Sequence, residues 1–153
     1  MATLWAKTVS FDSVQVGDHL PILVKHESKE SIALYERNAP TGPRPGWHSL
    51  HTDKEFAEGG IFGGPVNMGV ATVAYVSELL EKGFPLKVLM GYGSKLEMRA
   101  TLPVRAGDTI TFTGQLTDKR EEDGLRLVDC QVTGTNQSDQ VVARAKATIA
   151  FSP

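Results

Sequence analysis

The chain has 153 residues, 41% of them hydrophobic and 22% charged, enough to enclose one core without disulfides. Sixteen Lys and Arg against eighteen Asp and Glu give a formal charge of -2, and no stretch is basic enough to draw a phosphate backbone, so nucleic-acid and polybasic membrane roles find little support. A single cysteine, Cys130, a start without a leader pattern and no apolar run near the ~20 residues of a membrane helix set the expectation of a soluble cytoplasmic protein.

In chain order, Val16-Gly17-Asp18 signals a turn and Leu20 to Val24 enters a strand. Ser28 is placed to cap a short helix over Lys29 to Arg37, with Glu30 near its positive end. Ile32, Leu34 and Tyr35 fit that helix only approximately and suit a strand nearly as well. Asn38 to Pro45, with three prolines and one glycine, is a loop that no helix crosses. Asp53 caps a helical turn reaching Glu58, with Phe56 and Ala57 facing inward, until Gly59-Gly60 breaks it. Val66 to Lys82 has the length and apolar content of a mostly buried central helix, with Gly83 as its stop. Gly69, Ala71 and Ala74 lower its profile for a close neighbour, while Val66, Val70, Val73, Val76 and Leu80 supply bulk.

Beyond Pro85 the pattern turns extended. Lys87 to Thr101 reads as a long strand in which Gly91 and Gly93 mark a bend, and Val104 to Asp108 is a turn. Ile110, Phe112, Gly114 and Leu116 alternate with Thr109, Thr111, Thr113 and Gln115. Asp118 to Gly124 forms a charged hairpin, after which Val128, Cys130 and Val132 share one face and Asp129, Gln131 and Thr133 the other. Asn136 to Asp139 turns again, and Ala143, Ala145, Ala147, Ile149 and Phe151 alternate with Arg144, Lys146 and Thr148. Without a repeat or long linker, this order predicts one α+β domain over residues 1–153, a curved antiparallel sheet wrapped around a long central helix.

Three landmarks follow one another at suggestive spacing: Val16-Gly17-Asp18, His51-Thr52-Asp53-Lys54-Glu55-Phe56-Ala57 before a glycine-rich approach to the helix, and Pro103-Val104-Arg105-Ala106-Gly107-Asp108. On these the chain resembles the MaoC-like, or R-specific enoyl-CoA hydratase, branch of the hot-dog fold superfamily. The resemblance implies binding of acyl thioesters of coenzyme A or acyl carrier protein near a dimer interface. It also implies a homodimer or higher homo-oligomer, or a heteromer with a second hot-dog chain. The implied activity is hydration or dehydration between 2-enoyl and 3-hydroxyacyl thioesters, which requires no metal, flavin, nicotinamide or other cofactor.

The family motif resembles Asp-x-Asn-Pro-x-His-x-Asp. His51 and Asp53 match its last two positions, His48 and Ser49 stand in place of Asn-Pro, and Gly46 occupies the place of the catalytic aspartate. A second motif, Pro-x-x-His-Gly, is matched by Pro65-Val66-Asn67-Met68-Gly69, with Met68 replacing the histidine. By this resemblance His51 does proton work, the Gly69 amide meets the thioester oxygen, and His48 replaces part of the missing constellation. Asn67, Met68 and Gly64 fall at substrate-contact positions, and Asp53 is structural. Each has a plainer alternative: His51 bonded to a loop carbonyl or to Asp53, His48 a surface residue, Asn67 a helix cap, and Gly69 a close-packing residue. Asp12, Glu55 and Glu58 are the conceivable substitute carboxylates, and Arg99, Arg105, Lys95 and Lys146 the conceivable phosphate contacts. His48, His51 and Asp53 lack the spacing of a metal motif. Two competing roles remain, a catalytically weak thioester-binding or partner-stabilising subunit, suggested by Gly46, and a thioesterase, which would need Glu78.

Overall fold

The computed structural model describes residues 1–40, 42 and 44–151. In chain order the elements are β1 (Leu23–His26), α1 (Lys29–Asn38), α2 (Lys54–Glu58), α3 (Gly69–Gly83), α4 (Leu86–Leu89), β2 (Lys95–Ala100), β3 (Thr109–Glu122), β4 (Leu125–Thr135) and β5 (Val141–Phe151). The strands form one antiparallel sheet in the order β1-β3-β4-β5-β2.

The period-two pattern of the second half builds the centre of this sheet. Ile110, Phe112 and Leu116 of β3, Val128, Cys130 and Val132 of β4, and Ala145, Ala147 and Ile149 of β5 are all buried. They share a core with Val76, Leu79 and Leu80 of α3. The hairpin between β3 and β4 is tighter than expected. Pairing continues to Glu122, and the turn is Asp123-Gly124, both with positive φ (51° and 77°), the conformation a two-residue hairpin demands. On the other face of β4, Asp129 is not a solvated charge. It is buried, bonded to the Thr148 hydroxyl at 2.8 Å and paired with Lys146 at 3.1 Å and Arg120 at 3.2 Å.

The expectation of a curved sheet wrapped around one long central helix is corrected. The sheet is open, with β1 and β2 as free edges, and is not strongly curled. The longest helix, α3, has 15 residues and does not cover the sheet alone. The segment before β1 lies over the same layer: Leu4, Phe11, Val14 and Leu20 enter the core, and Gly17 N–H donates to Leu116 O at 2.9 Å. A face covered by a helix and an irregular segment side by side has no reason to curl around either.

Local differences follow the same logic. Residues 66–67 stay extended because their amides are used elsewhere, Val66 N–H by Leu50 O at 3.2 Å and Asn67 N–H by Val104 O at 2.7 Å, so α3 begins at Gly69. Lys87 to Thr101 is not one strand. Pro85, with φ near the helical value, starts the short α4, and strand pairing resumes only at Lys95 after Gly93 turns with φ +90°. Phe56 points outward and only Ala57 is buried on α2. Of the predicted Asn38 to Pro45 loop, Asn38 ends α1, and Thr41 and Pro43 lie outside the described residues. Among the described residues no helix is long and apolar enough to cross a membrane.

Candidate active site

Helix α1 matters to the site through its last turn. The helix is started by a reciprocal cap: Ser31 N–H donates to Ser28 Oγ at 3.0 Å, and Ser28 N–H to Ser31 Oγ at 2.9 Å. At its other end Glu36, only 7% exposed, lies beneath the turn that carries His51. Glu36 accepts from the Ser49 hydroxyl and from Thr52 Oγ1, the latter at 2.7 Å, and Ser49 Oγ accepts His51 N–H at 3.0 Å. A buried carboxylate thus fixes the backbone on both sides of the histidine. The His51 ring is fixed too, because its Nδ1 lies 2.8 Å from Val66 O. A carbonyl oxygen can only accept, so Nδ1 carries the proton, and in the neutral ring Nε2 presents a lone pair.

Facing this ring is the start of α3. Its N-cap, Met68, offers no side-chain bond, and among the described residues Gly69 N–H and Val70 N–H donate to no protein acceptor. Free amides at the positive end of a four-turn helix favour an oxygen that gathers negative charge. A Cβ placed on Gly69 would meet nothing within 4 Å, so close packing does not require glycine there. His51, Asn67, Gly69 and Thr72 line one cavity of about 320 Å³, closed by Phe62 and by the segment from Ala100 to Val104.

The structure separates the other predicted residues from this centre. His48 is largely exposed; its Nδ1 lies 2.8 Å from Asp53 Oδ2, and its ring stacks on Phe56 with centroids 5.4 Å apart. Asp53 is the N-cap of α2, accepting Phe56 N–H at 3.1 Å, and the His48 bond followed by that N–H holds its carboxyl below the usual aspartate value. Met68 lies on a second, apolar groove beside Leu34, Tyr35, Pro40 and Val70. Gly64, with φ +153°, sits against Arg105, whose guanidinium donates to Pro65 O at 3.1 Å and Phe62 O at 2.5 Å. Arg105 is therefore committed to loop carbonyls. Gly46 brings no carboxylate and has φ +78°, a region that residues with a Cβ rarely adopt. Glu58 pairs with Lys54 and Asp12 with Arg126, and neither they nor Glu55 line the cavity. Glu78 is paired with Lys25 of β1, likewise away from it. Among the described residues no cluster of His, Cys, Asp and Glu could hold a metal ion. Sequence reasoning missed Glu36 and Thr72; the only hint of Glu36 was a carboxylate in the last turn of a helix, where the helix dipole disfavours it.

Sheet order, helix mouth and histidine turn together define a hot-dog-like α+β protein with a histidine and a helix start on one cavity. A family model for the MaoC like domain matches residues 46–138, the stretch that contains the histidine turn, the helix mouth and most of the sheet. The chain belongs to the MaoC-like hydratase/dehydratase family of hot-dog proteins, whose general activity is hydration or dehydration of acyl thioesters. Its fold is shared with many solved structures, of which three illustrate the likeness. A monoamine oxidase regulatory protein from Archaeoglobus fulgidus is 24% identical, with a TM-score of 0.72, over 100% of this chain and 98% of that one. A MaoC-like dehydratase from Rhodospirillum rubrum is 24% identical, with a TM-score of 0.71, over 92% and 94%. An (R)-hydratase from A. caviae involved in PHA biosynthesis is 23% identical, with a TM-score of 0.69, over 92% and 98%. No curated protein matches the sequence.

Proposed function

We propose that this protein interconverts 2-enoyl and 3-hydroxyacyl thioesters of coenzyme A or acyl carrier protein, with His51 as the proton-transferring residue and Gly69 N–H as the oxyanion donor. One observation carries the reading: the open nitrogen of an oriented imidazole and a free helix-start amide share a single cavity. In the hydration direction His51 Nε2 takes a proton from water as the water oxygen bonds to C3. The C2–C3 π electrons move toward C1, and the thioester oxygen becomes an enolate held by Gly69 N–H. The enolate then takes a proton at C2 from the imidazolium, which restores the neutral ring. No electron is gained or lost, so no redox cofactor enters. Asn67 at the cavity wall and Gly64 behind it suit contacts to the thioester arm, and Met68 suits the acyl side. A homodimer or a hot-dog heteromer accompanies this reading.

A second reading is a thioester-binding subunit with weak turnover of its own. It is favoured by Gly46, because no carboxylate lines the cavity to share the proton work. The test presents short, medium and aromatic enoyl-CoA thioesters to the purified protein and follows hydration product and released thiol by mass spectrometry. Hydration that falls about 10²-fold or more in His51→Ala supports the enzyme. Tight retention of thioester with no product supports the binding subunit, and released free thiol would replace both with hydrolysis.

A further inference from the structure

The His51 cavity holds one polar side chain that the chemistry above does not use. The side-chain polar groups on its wall belong to His51, Asn67, Thr72 and Thr101. His51 Nδ1 is committed to Val66 O, Asn67 Oδ1 to Met68 N–H and Thr101 Oγ1 to Val141 O. Thr72 of α3 is only 6% exposed, and among the described residues its hydroxyl has no hydrogen-bond partner. The buried side-chain atoms that are both unpartnered and sealed off are Glu27 Oε1 and Asn67 Nδ2, and Thr72 Oγ1 is not one of them. The hydroxyl therefore opens into the cavity, which His51 Nε2 also faces. Gly69 and Thr72 stand three residues apart on α3 and so share one helical face. Side chains on a helix lean toward its N-terminus, which carries the Thr72 hydroxyl over the first turn, on the side of the free Gly69 amide. A buried hydroxyl without a partner costs stability, so the fold gains nothing from it that valine would not supply.

We infer that Thr72 is a catalytic residue whose hydroxyl holds the attacking water, or in the reverse direction the substrate's 3-hydroxyl, against His51 Nε2. It serves where Gly46 leaves the cavity without a carboxylate. The inference rests on the hydratase reading proposed above. In hydration one O–H of the water donates to Thr72 Oγ1 and the other to His51 Nε2. Nε2 takes the second proton as the water oxygen bonds to C3. The first O–H remains as the 3-hydroxyl of the product, still bonded to Thr72. Thr72 keeps its own proton throughout, and the proton on the imidazolium passes to C2. A hydroxyl is too weak a base to replace a carboxylate in proton transfer, but it can fix where the lone pair of the water points. With Gly69 N–H at the thioester oxygen and Thr72 at the oxygen on C3, one face of α3 holds both ends of the reacting unit.

The test compares Thr72→Val, which keeps the branched shape and removes the hydroxyl, with Thr72→Ser, which keeps the hydroxyl. On the best enoyl-CoA substrate kcat is expected to fall about 30-fold in Thr72→Val while KM changes less than about twofold, and to stay within about threefold of wild type in Thr72→Ser. The urea midpoint of Thr72→Val is expected to equal or exceed that of wild type, because a buried hydroxyl without a partner has been removed. An unchanged kcat in Thr72→Val, or a Thr72→Ser as slow as Thr72→Val, overturns the inference. A lowered midpoint in Thr72→Val overturns it too, since the hydroxyl would then serve the fold. Absence of turnover by the wild type would defeat the hydratase reading separately. The Thr72 contact is then decided by calorimetric Kd values for 3-hydroxybutyryl-CoA and butyryl-CoA. Wild type that binds the hydroxy compound about fivefold more tightly, with the preference lost in Thr72→Val, supports the contact. Equal affinities in wild type, no binding of either compound, or a preference retained in Thr72→Val overturns it.

Discussion

Two histidines three residues apart have opposite fates, and hydrogen-bond partners decide which one faces the cavity. His51 is turned by Val66 O and held from below by Glu36 through Ser49 and Thr52, while His48 is drawn outward to Asp53. The sequence made His51 legible through its motif, and it also raised the bond to a loop carbonyl, which here fixes the tautomer. Glu36 was not legible, because a carboxylate in a helix's last turn is usually solvated, and only the packing of α1 under the 49–52 turn gives it two hydroxyl donors. Glu36→Ala strands those hydroxyls and is expected to cost about 2–3 kcal/mol in urea unfolding. It should also lower hydration about tenfold in conditions where the variant is fully folded. A fully folded variant with unchanged kcat/KM would show that the turn holds His51 without Glu36. Cys130, placed by alternation on the face of Val128 and Val132, is buried with them, and burial pushes its thiol up to about 12.

At the scale of elements, alternation predicted β3, β4 and β5 well, because each strand buries one face against the same layer and a shift of one residue would turn every side chain over. Glycines in these strands carry packing information that alternation alone does not. Gly134 of β4 faces Phe112 of β3 in register, and a Cβ there would come within 2.7 Å of the ring. Phe112 is wholly buried and has little room to yield. Gly134→Ala is therefore expected to destabilise the protein by about 1–3 kcal/mol, read as a lower urea midpoint at unchanged slope. A midpoint equal to that of wild type would mean the ring moves freely. The α4 turn was the least legible element, since Leu86 to Leu89 is apolar enough for either structure and Pro85 decided between them.

For the whole molecule, two buried aspartates tie distant segments together and set the response to acid. Asp18 is held below its ordinary pKa first by the N–H of Ala2, against burial, and then by that of Gln15. For Asp129 burial pulls upward, but Thr148, Lys146 and Arg120 together outweigh it, so its carboxyl too lies low. Both folded values fall below the unfolded one, so in acid the unfolded chain binds more protons. Their contribution is complete above the unfolded aspartate pKa of about 3.9 and is lost as pH falls through the lower folded values. Urea midpoints are expected to stay flat from pH 7 to about 5 and to drop below about 4, less steeply in Asp129→Asn. A midpoint that holds steady to pH 2 would contradict this assignment.

The sequence by itself determined the α+β class, the three-strand meander, the caps at Ser28 and Asp53 and the family landmarks, because these depend on period, turn chemistry and residue identity over short stretches. Only the tertiary structure decided that the sheet stays open, that α3 starts at Gly69 with two free amides, and that Glu36 lies beneath the turn carrying His51. Those outcomes depend on which distant backbone groups and buried charges find partners, Val104 O for Asn67 and the 49–52 hydroxyls for Glu36 among them. A buried polar group must be satisfied wherever the chain brings a donor or acceptor, and that meeting is fixed by the packed fold rather than by its neighbours in sequence.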